Sequence, residues 1–195
     1  LEQPLWDSFW KNRENLTRNV TDIPGQEGWK DCMVMPRASS YDMHAALSPA
    51  LAQRNQYAVG NLTWTLFYYW QMCEAYGDDL QMNARLFPLL KSAVNIFFRI
   101  RIQNPDGTYS LPSTASPEYG EGDLGEIGTN TNYDLANLRW GLSTLIEIDG
   151  KYGLNDPMLP QWKDFLAKMP SFRYDENTGF KVSDKFEFLD TTHRH

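Results

Sequence analysis

Apolar residues recur at helical spacing in several stretches of the chain and lose all period between them. Trp6, Phe9 and Trp10 fall at i, i+3 and i+4, one face of a short helix. From Leu62 to Tyr76 two apolar stripes run together. Trp64, Phe67, Tyr68, Gln71, Met72 and Ala75 form one, and Leu66, Tyr69, Trp70 and Cys73 the other, so this helix is expected to be buried on most sides. Gly77 supplies its stop. A second helix is expected from Pro88 to Ile102, with Leu80 to Phe87 as a separate or kinked turn before the proline. Its stripe is Leu89, Leu90, Ala93, Val94, Phe97 and Ile100, which predicts a one-sided helix on an outer layer. Thr131-Asn132-Tyr133-Asp134 has the spacing of a capping box and opens a third helix with Leu135, Leu138, Leu142, Leu145 and Ile146 inward. Asn155-Asp156-Pro157 starts a fourth, carrying Leu159, Trp162, Phe165 and Leu166.

Between these stretches the chain changes character. Residues 24 to 60 and 103 to 130 are interrupted by Pro and Gly throughout, and irregular stretches of that length are usually functional loops or wrapping segments. Phe172-Arg173-Tyr174 and Phe180-Lys181-Val182 alternate around Asp175 to Gly179, which predicts a β-hairpin with a five-residue loop. Corresponding helices are separated by roughly 65 to 70 residues, a sign of repeated helical hairpins. The chain therefore reads as all-α, two helical hairpins with a small β-hairpin near the C-terminal end. Two hairpins cannot close a ring, so residues 1 to 195 form either a small helical domain or an arc of a larger toroid.

Composition narrows the function. A formal net charge of -7 and the absence of any Lys- or Arg-rich run argue against nucleic acid as a partner and against docking on an anionic membrane. No apolar stretch approaches the length of a membrane span, so membrane insertion is not expected. The start, Leu1-Glu2-Gln3-Pro4-Leu5-Trp6, lacks the pattern of a signal peptide. Cys32 and Cys73, with His44, His193 and His195, make no metal-ligand pattern, and neither metal nor cofactor is expected. Aromatic residues reach 14%, enough to fill a core with rings or to line a cleft that stacks on sugars.

The densest chemistry lies in Leu111-Pro112-Ser113-Thr114-Ala115-Ser116-Pro117-Glu118-Tyr119-Gly120. The two prolines stiffen the backbone around Glu118, and Tyr119 beside it offers an apolar wall and a hydroxyl. A carboxyl set against rings resists ionisation and can act as an acid. Ser116 lacks the surroundings of a nucleophile, and Gly120 to Gly128 lacks those of a phosphate loop. Asn15, Asn19 and Asn61 begin N-glycosylation sequons, although Asn61 also sits where it could cap a helix.

These residues carry a resemblance. Gly60-Asn61-Leu62-Thr63-Trp64, Leu86-Phe87-Pro88-Leu89-Leu90-Lys91, Leu111-Pro112-Ser113-Thr114 and Ser116-Pro117-Glu118-Tyr119-Gly120 occur in an order that resembles glycoside hydrolase family 95 and its bacterial relatives. Thr131 to Leu135, Leu138 to Gly141, Met169-Pro170-Ser171 and the closing His193-Arg194-His195 extend the likeness over residues 60 to 195. The family's Glu-Trp after the hairpin is replaced here by Val182-Ser183.

The resemblance implies an (α/α)6 toroid, of which residues 1–195 would be an incomplete arc forming a single domain, with the remainder of the toroid needed as a partner. It implies inverting hydrolysis of a terminal α-L-fucoside or α-L-galactoside in an oligosaccharide or glycan substrate, with Glu118 as general acid. His193, Arg194 and His195 match a stretch lining the sugar pocket, and Tyr119, Tyr133, Trp140 and Trp64 are candidate sugar-stacking rings. The family's other catalytic groups include asparagines upstream of the acid and an aspartate well downstream of His-Arg-His. Within this chain Asp134, Asp123 and Asp190 are formal candidates for the base. A periplasmic or extracellular location is expected. The alternative is a non-catalytic helical module that binds glycans or packs against another domain.

Overall fold

A computed structural model describes residues 3–36, 39–44, 58–114 and 128–184. Six helices of eight residues or more occur among them: α1 (Gln3–Lys11), α2 (Arg13–Thr21), α3 (Gly60–Tyr76), α4 (Phe87–Ile100), α5 (Asn132–Tyr152) and α6 (Leu159–Lys168). None is long and apolar enough to cross a membrane. Two short antiparallel ladders complete the description. β1 (Ile102–Gln103) pairs with β2 (Tyr109–Ser110), and β3 (Tyr174–Asp175) with β4 (Gly179–Phe180).

The helical repeat is real, and it is longer than expected. α3 and α5 start at 60 and 132, α4 and α6 at 87 and 159, β1 and β3 at 102 and 174, each pair offset by 72 residues. Each unit is thus a helix, a second helix and a β-hairpin. The first helix of each unit ends at a glycine in the left-handed region, Gly77 (φ 63°) and Gly153 (φ 61°), where a Cβ would be strained. The β1–β2 hairpin falls inside a stretch whose periodicity gave no strand. Its signal is the turn Asn104-Pro105-Asp106-Gly107, with the Asp106 carboxylate accepting the Thr108 N–H at 2.9 Å.

The core lies where α3, α4, α5 and α6 meet. Leu62, Leu66, Leu90, Val94, Phe97, Leu138, Leu142, Leu145, Trp162 and Phe165 are all fully buried there. α4 is central rather than outer: Ala93 to Phe97 are buried without a break, because α3 and α5 pack on it and Met33 and Asn95 tie it to the segment that follows α2. It also ends at Ile100, since Ile102 turns into β1. α3 is less enclosed than its composition suggests. Trp64 (44% exposed) and Tyr68 (51% exposed) stand on a face that the described residues cover only in part.

Before Pro88 the chain makes an α-turn, Asp79–Gln81, and then a π-helical turn, Met82–Leu86. Proline has no N–H and crowds the carbonyl four residues back, so the wider turn lets the helical run continue into α4. Pro160 lies at the first positions of α6, so Pro157 belongs to the preceding turn. The second β-hairpin pairs Asp175 with Gly179, which leaves three residues in its loop rather than five.

Further contacts orient the outlying pieces. Trp6 of α1 stacks on Tyr69 of α3 with centroids 4.6 Å apart, and Asp7 pairs with Arg85 of the π-turn. Arg101 lies over the rings of Phe98, Tyr109 and Phe165, which fixes the first β-hairpin against α6.

Candidate functional site

Each β-hairpin returns the chain toward the N-terminal end of the first helix of its unit. At that end the buried polar residues Thr114, Asn130, Thr131 and Asp134 gather. Thr131 caps α5 by accepting the Asp134 N–H at 3.2 Å. The other half of the expected capping box is diverted. Instead of returning to the cap's backbone, Asp134 Oδ2 accepts the hydroxyl of Thr131 at 2.9 Å and the hydroxyl of Thr114. Its second oxygen faces Gly60, the first residue of α3. A Cβ at Gly60 would come within 3.0 Å of Asp134 Oδ1 and 2.8 Å of Tyr133 Cε1. Only glycine admits so close an approach.

Asp134 is 1% exposed. Burial pushes its pKa up to about 6 from 3.8, against the lowering effect of the Thr114 and Thr131 hydroxyls and the Gly60 amide. A value of about 6 still leaves the group mostly ionised at neutral pH in spite of its burial. Enclosed in this way, with Oδ2 bonded and Oδ1 buried without a hydrogen-bond partner, Asp134 has no open face on which to activate a water. That removes it as the catalytic base.

Neighbouring bonds complete a frame. The Leu111 N–H donates to Asn130 Oδ1 at 2.8 Å, and the Asn130 N–H to the Leu111 carbonyl at 3.2 Å. Asn130 adopts a left-handed conformation (φ 53°), which asparagine tolerates better than most residues, and donates its amide to Asp184 at 2.7 Å. Asn132 is fixed to the second β-hairpin by bonds to the Arg173 and Lys181 carbonyls and from the Arg173 N–H. Both sides of the stretch 115–127 are therefore anchored at one place: Leu111 and Thr114 on one side, Asn130 to Asp134 on the other.

The sequence candidates distribute unevenly around this frame. Tyr133 belongs to it. Its hydroxyl donates to Asn61 Oδ1 at 2.8 Å, its ring is half-buried, and burial raises its pKa. Asn61 is thus the partner of a tyrosine; α3 starts one residue earlier and has no side-chain cap. Trp64 meets the Tyr133 ring edge-on at 6.0 Å and remains exposed. Trp140 lies two turns further along α5, half-buried against Phe67 and Trp70 at 5.3 and 6.2 Å. Glu118, Tyr119, His193, Arg194, His195, Asp123 and Asp190 lie outside the described residues. Of the sequons, Asn19 is buried and donates to the Val34 and Met43 carbonyls, and Asn61 is buried as well, so neither presents an amide for a glycan.

Thr114 and Gly60 escaped sequence reasoning as partners of Asp134. The three residues are far apart along the chain, and no periodicity links them. The only local sign was the acidic third residue of the helix.

Beside the frame is a mainly apolar cavity of about 130 Å³ lined by Val20, Trp29, Val34, Ile96, Pro112 and Thr114 among others. No group of three or more His, Cys, Asp or Glu side chains disposed to hold a metal ion occurs among the described residues.

No curated protein matches the chain. The model of the glycosyl hydrolase family 95 catalytic domain matches residues 1–195. With its ordered motifs, its repeated helical hairpins and that match over its whole length, the chain belongs to glycosyl hydrolase family 95 and is a glycoside hydrolase domain that acts on a glycan.

Proposed function

We propose that this domain hydrolyses a terminal α-L-fucoside or α-L-galactoside with inversion of configuration, and that Glu118 is the general acid. The observation that carries the reading is the anchoring of Leu111 and Thr114, the head of the motif that bears Glu118, where the N-terminal ends of α3 and α5 converge. Inverting hydrolysis needs an acid at the leaving oxygen and a base across the sugar, their carboxyls roughly 6.5 to 9.5 Å apart so that a water fits between. In this reading Glu118 protonates the glycosidic oxygen as the bond to the anomeric carbon breaks. A base contributed from outside these residues takes a proton from the attacking water.

His193, Arg194 and His195 donate to sugar hydroxyls, and Tyr119, Tyr133, Trp64 and Trp140 supply apolar faces. Residues 1–195 form one arc of an (α/α)6 toroid, and the rest of the ring completes the pocket. A glycan substrate of this kind suits a periplasmic or extracellular location. The test is Glu118→Gln in the full-length enzyme, with a substrate chosen from a screen of aryl fucosides and galactosides. Turnover of substrates with poor leaving groups should fall by about 100-fold or more. Near-normal turnover removes Glu118 from the mechanism, and a product of retained configuration removes inversion.

A further inference from the structure

Asp134 is an expensive way to hold a protein together. A carboxylate taken out of water is strongly penalised unless its partners compensate, and a well-packed apolar side chain would hold these helices as well or better. What a buried carboxylate does better is fix geometry. Oδ2 accepts hydroxyls from two different segments, which holds Thr114 and Thr131 relative to one another, and Oδ1, buried without a hydrogen-bond partner, is packed against the start of a third at Gly60. Thr131 and Gly60 belong to helix starts, which are rigid. Thr114 does not belong to a helix or strand; it is buried at 2% exposure. Glu118 follows it by four residues, at most about 14 Å of extended chain.

We propose that Asp134 is a positioning residue for the reaction: by accepting the Thr114 hydroxyl at the joined N-terminal ends of α3 and α5, it sets the place of the segment that carries the acid. This inference rests on Glu118 being that acid. Asp134 does not touch the substrate and transfers no proton. Its effect passes through Thr114, and misplacement of a catalytic group by about 1 Å is enough to cost about 100-fold in rate.

The role is separable from ordinary structural support by the leaving group. A glycosyl fluoride needs little acid assistance, whereas an aryl glycoside with a poor leaving group depends on it. In the full-length enzyme, kcat and KM are measured on both substrates for Thr114→Val, Thr114→Ser, Asp134→Asn and Glu118→Gln. Thr114→Val and Asp134→Asn should lose about ten-fold or more in kcat on the aryl glycoside, with KM little changed and the fluoride within about two-fold of wild type. Thr114→Ser keeps the hydroxyl and should recover most of what Thr114→Val loses.

Thr114→Val keeps the test open should Asp134→Asn fail to fold. Equal losses on both substrates, or none, in folded Thr114→Val overturn the positioning role. If Glu118→Gln still discriminates between the substrates in that case, the acid assignment survives and only the inference falls. If Glu118→Gln does not discriminate, the acid assignment itself is wrong.

Discussion

The two repeated units share a plan and differ at their entrances. α5 opens on its own cap, Thr131, whose oxygen accepts the Asp134 N–H. α3 opens on Val59, which offers no side-chain cap at all. Its first residue, Gly60, is faced instead by the carboxylate of Asp134, from the other unit. One buried acid thus bonds the start of α5 to a connecting segment through Oδ2, while its Oδ1, without a hydrogen-bond partner, is packed against the start of α3. Repeats that meet this closely cannot be treated as independent, because disturbing the second unit's cap also disturbs what packs on the first unit's entrance. The difference also places the shared group beside the segment that leads to Glu118, rather than at the opposite end of the helices.

The largest test of this sharing is pH. The ordinary pKa of Asp134 is 3.8, and in the folded protein it is about 6. Below the lower value the group is protonated in both states, and its burial carries no charge penalty. Between the two values the unfolded chain gives up the proton while the folded one keeps it, so stability falls as pH rises. Above about 6 the loss is complete, roughly 3 kcal/mol at about 1.4 kcal/mol per pKa unit. Urea unfolding of wild type and Asp134→Asn from pH 4 to pH 7 should therefore converge or cross with rising pH, with the decline present only in wild type. Parallel curves would mean that Asp134 is not enclosed as described. The carboxylates with lowered pKa, such as Asp7, Asp79 and Asp164, act at lower pH and with the opposite sign, so they do not imitate this signal.

Much of the architecture was legible in the sequence because it is local. The stripes of α4 and α5, the Gly77 stop, the Thr131 cap and the kink before Pro88 each follow from spacing or from the chemistry of one residue. What was not legible is pairwise and long-range. α3 was expected to be buried on most sides, but hydrophobicity alone does not say which side stays open; Trp64 and Tyr68 are apolar enough for a core and yet are largely exposed. The first β-hairpin was hidden because Ile102–Gln103 and Tyr109–Ser110 lack the flanking apolar alternation that marked the second, Phe172-Arg173-Tyr174 and Phe180-Lys181-Val182. The motif around Glu118 stood out in the sequence, whereas the bond from Thr114 to Asp134 spans 20 residues and leaves no periodic trace.

The joint between the units can be broken at a second place. Gly141 of α5 faces α3 and α4 so closely that a Cβ would lie 2.7 Å from Val94 Cγ2 and 3.3 Å from Thr63 Cγ2. Val94 is β-branched and held to one rotamer in its helix, so it cannot swing aside. The helices must move instead. Gly141→Ala should cost about 1 to 3 kcal/mol, in spite of the better helix propensity of alanine. Thr131→Ser keeps the cap and the hydroxyl bonded to Asp134 and should cost less, under about 1 kcal/mol, since it removes only a methyl group. An equal or larger loss in Thr131→Ser would show that the surroundings of the cap, rather than the helix crossing, hold the units together.

The smallest effect is a gain, and it calibrates the others. Gly150 lies in the same helix as Gly141, but it is exposed, has an ordinary helical backbone and would bring its Cβ within 4 Å of no other group. Gly150→Ala therefore meets only the propensity term. Alanine restricts the unfolded chain more than glycine does and loses less on becoming helical, which favours the folded state by about 0.5 kcal/mol near a helix end. Thermal unfolding of both alanine variants should move in opposite directions. If Gly150→Ala also destabilises, the last turn of α5 is engaged by something beyond the described residues, and the cost at Gly141 could no longer be assigned to Val94 and Thr63 alone.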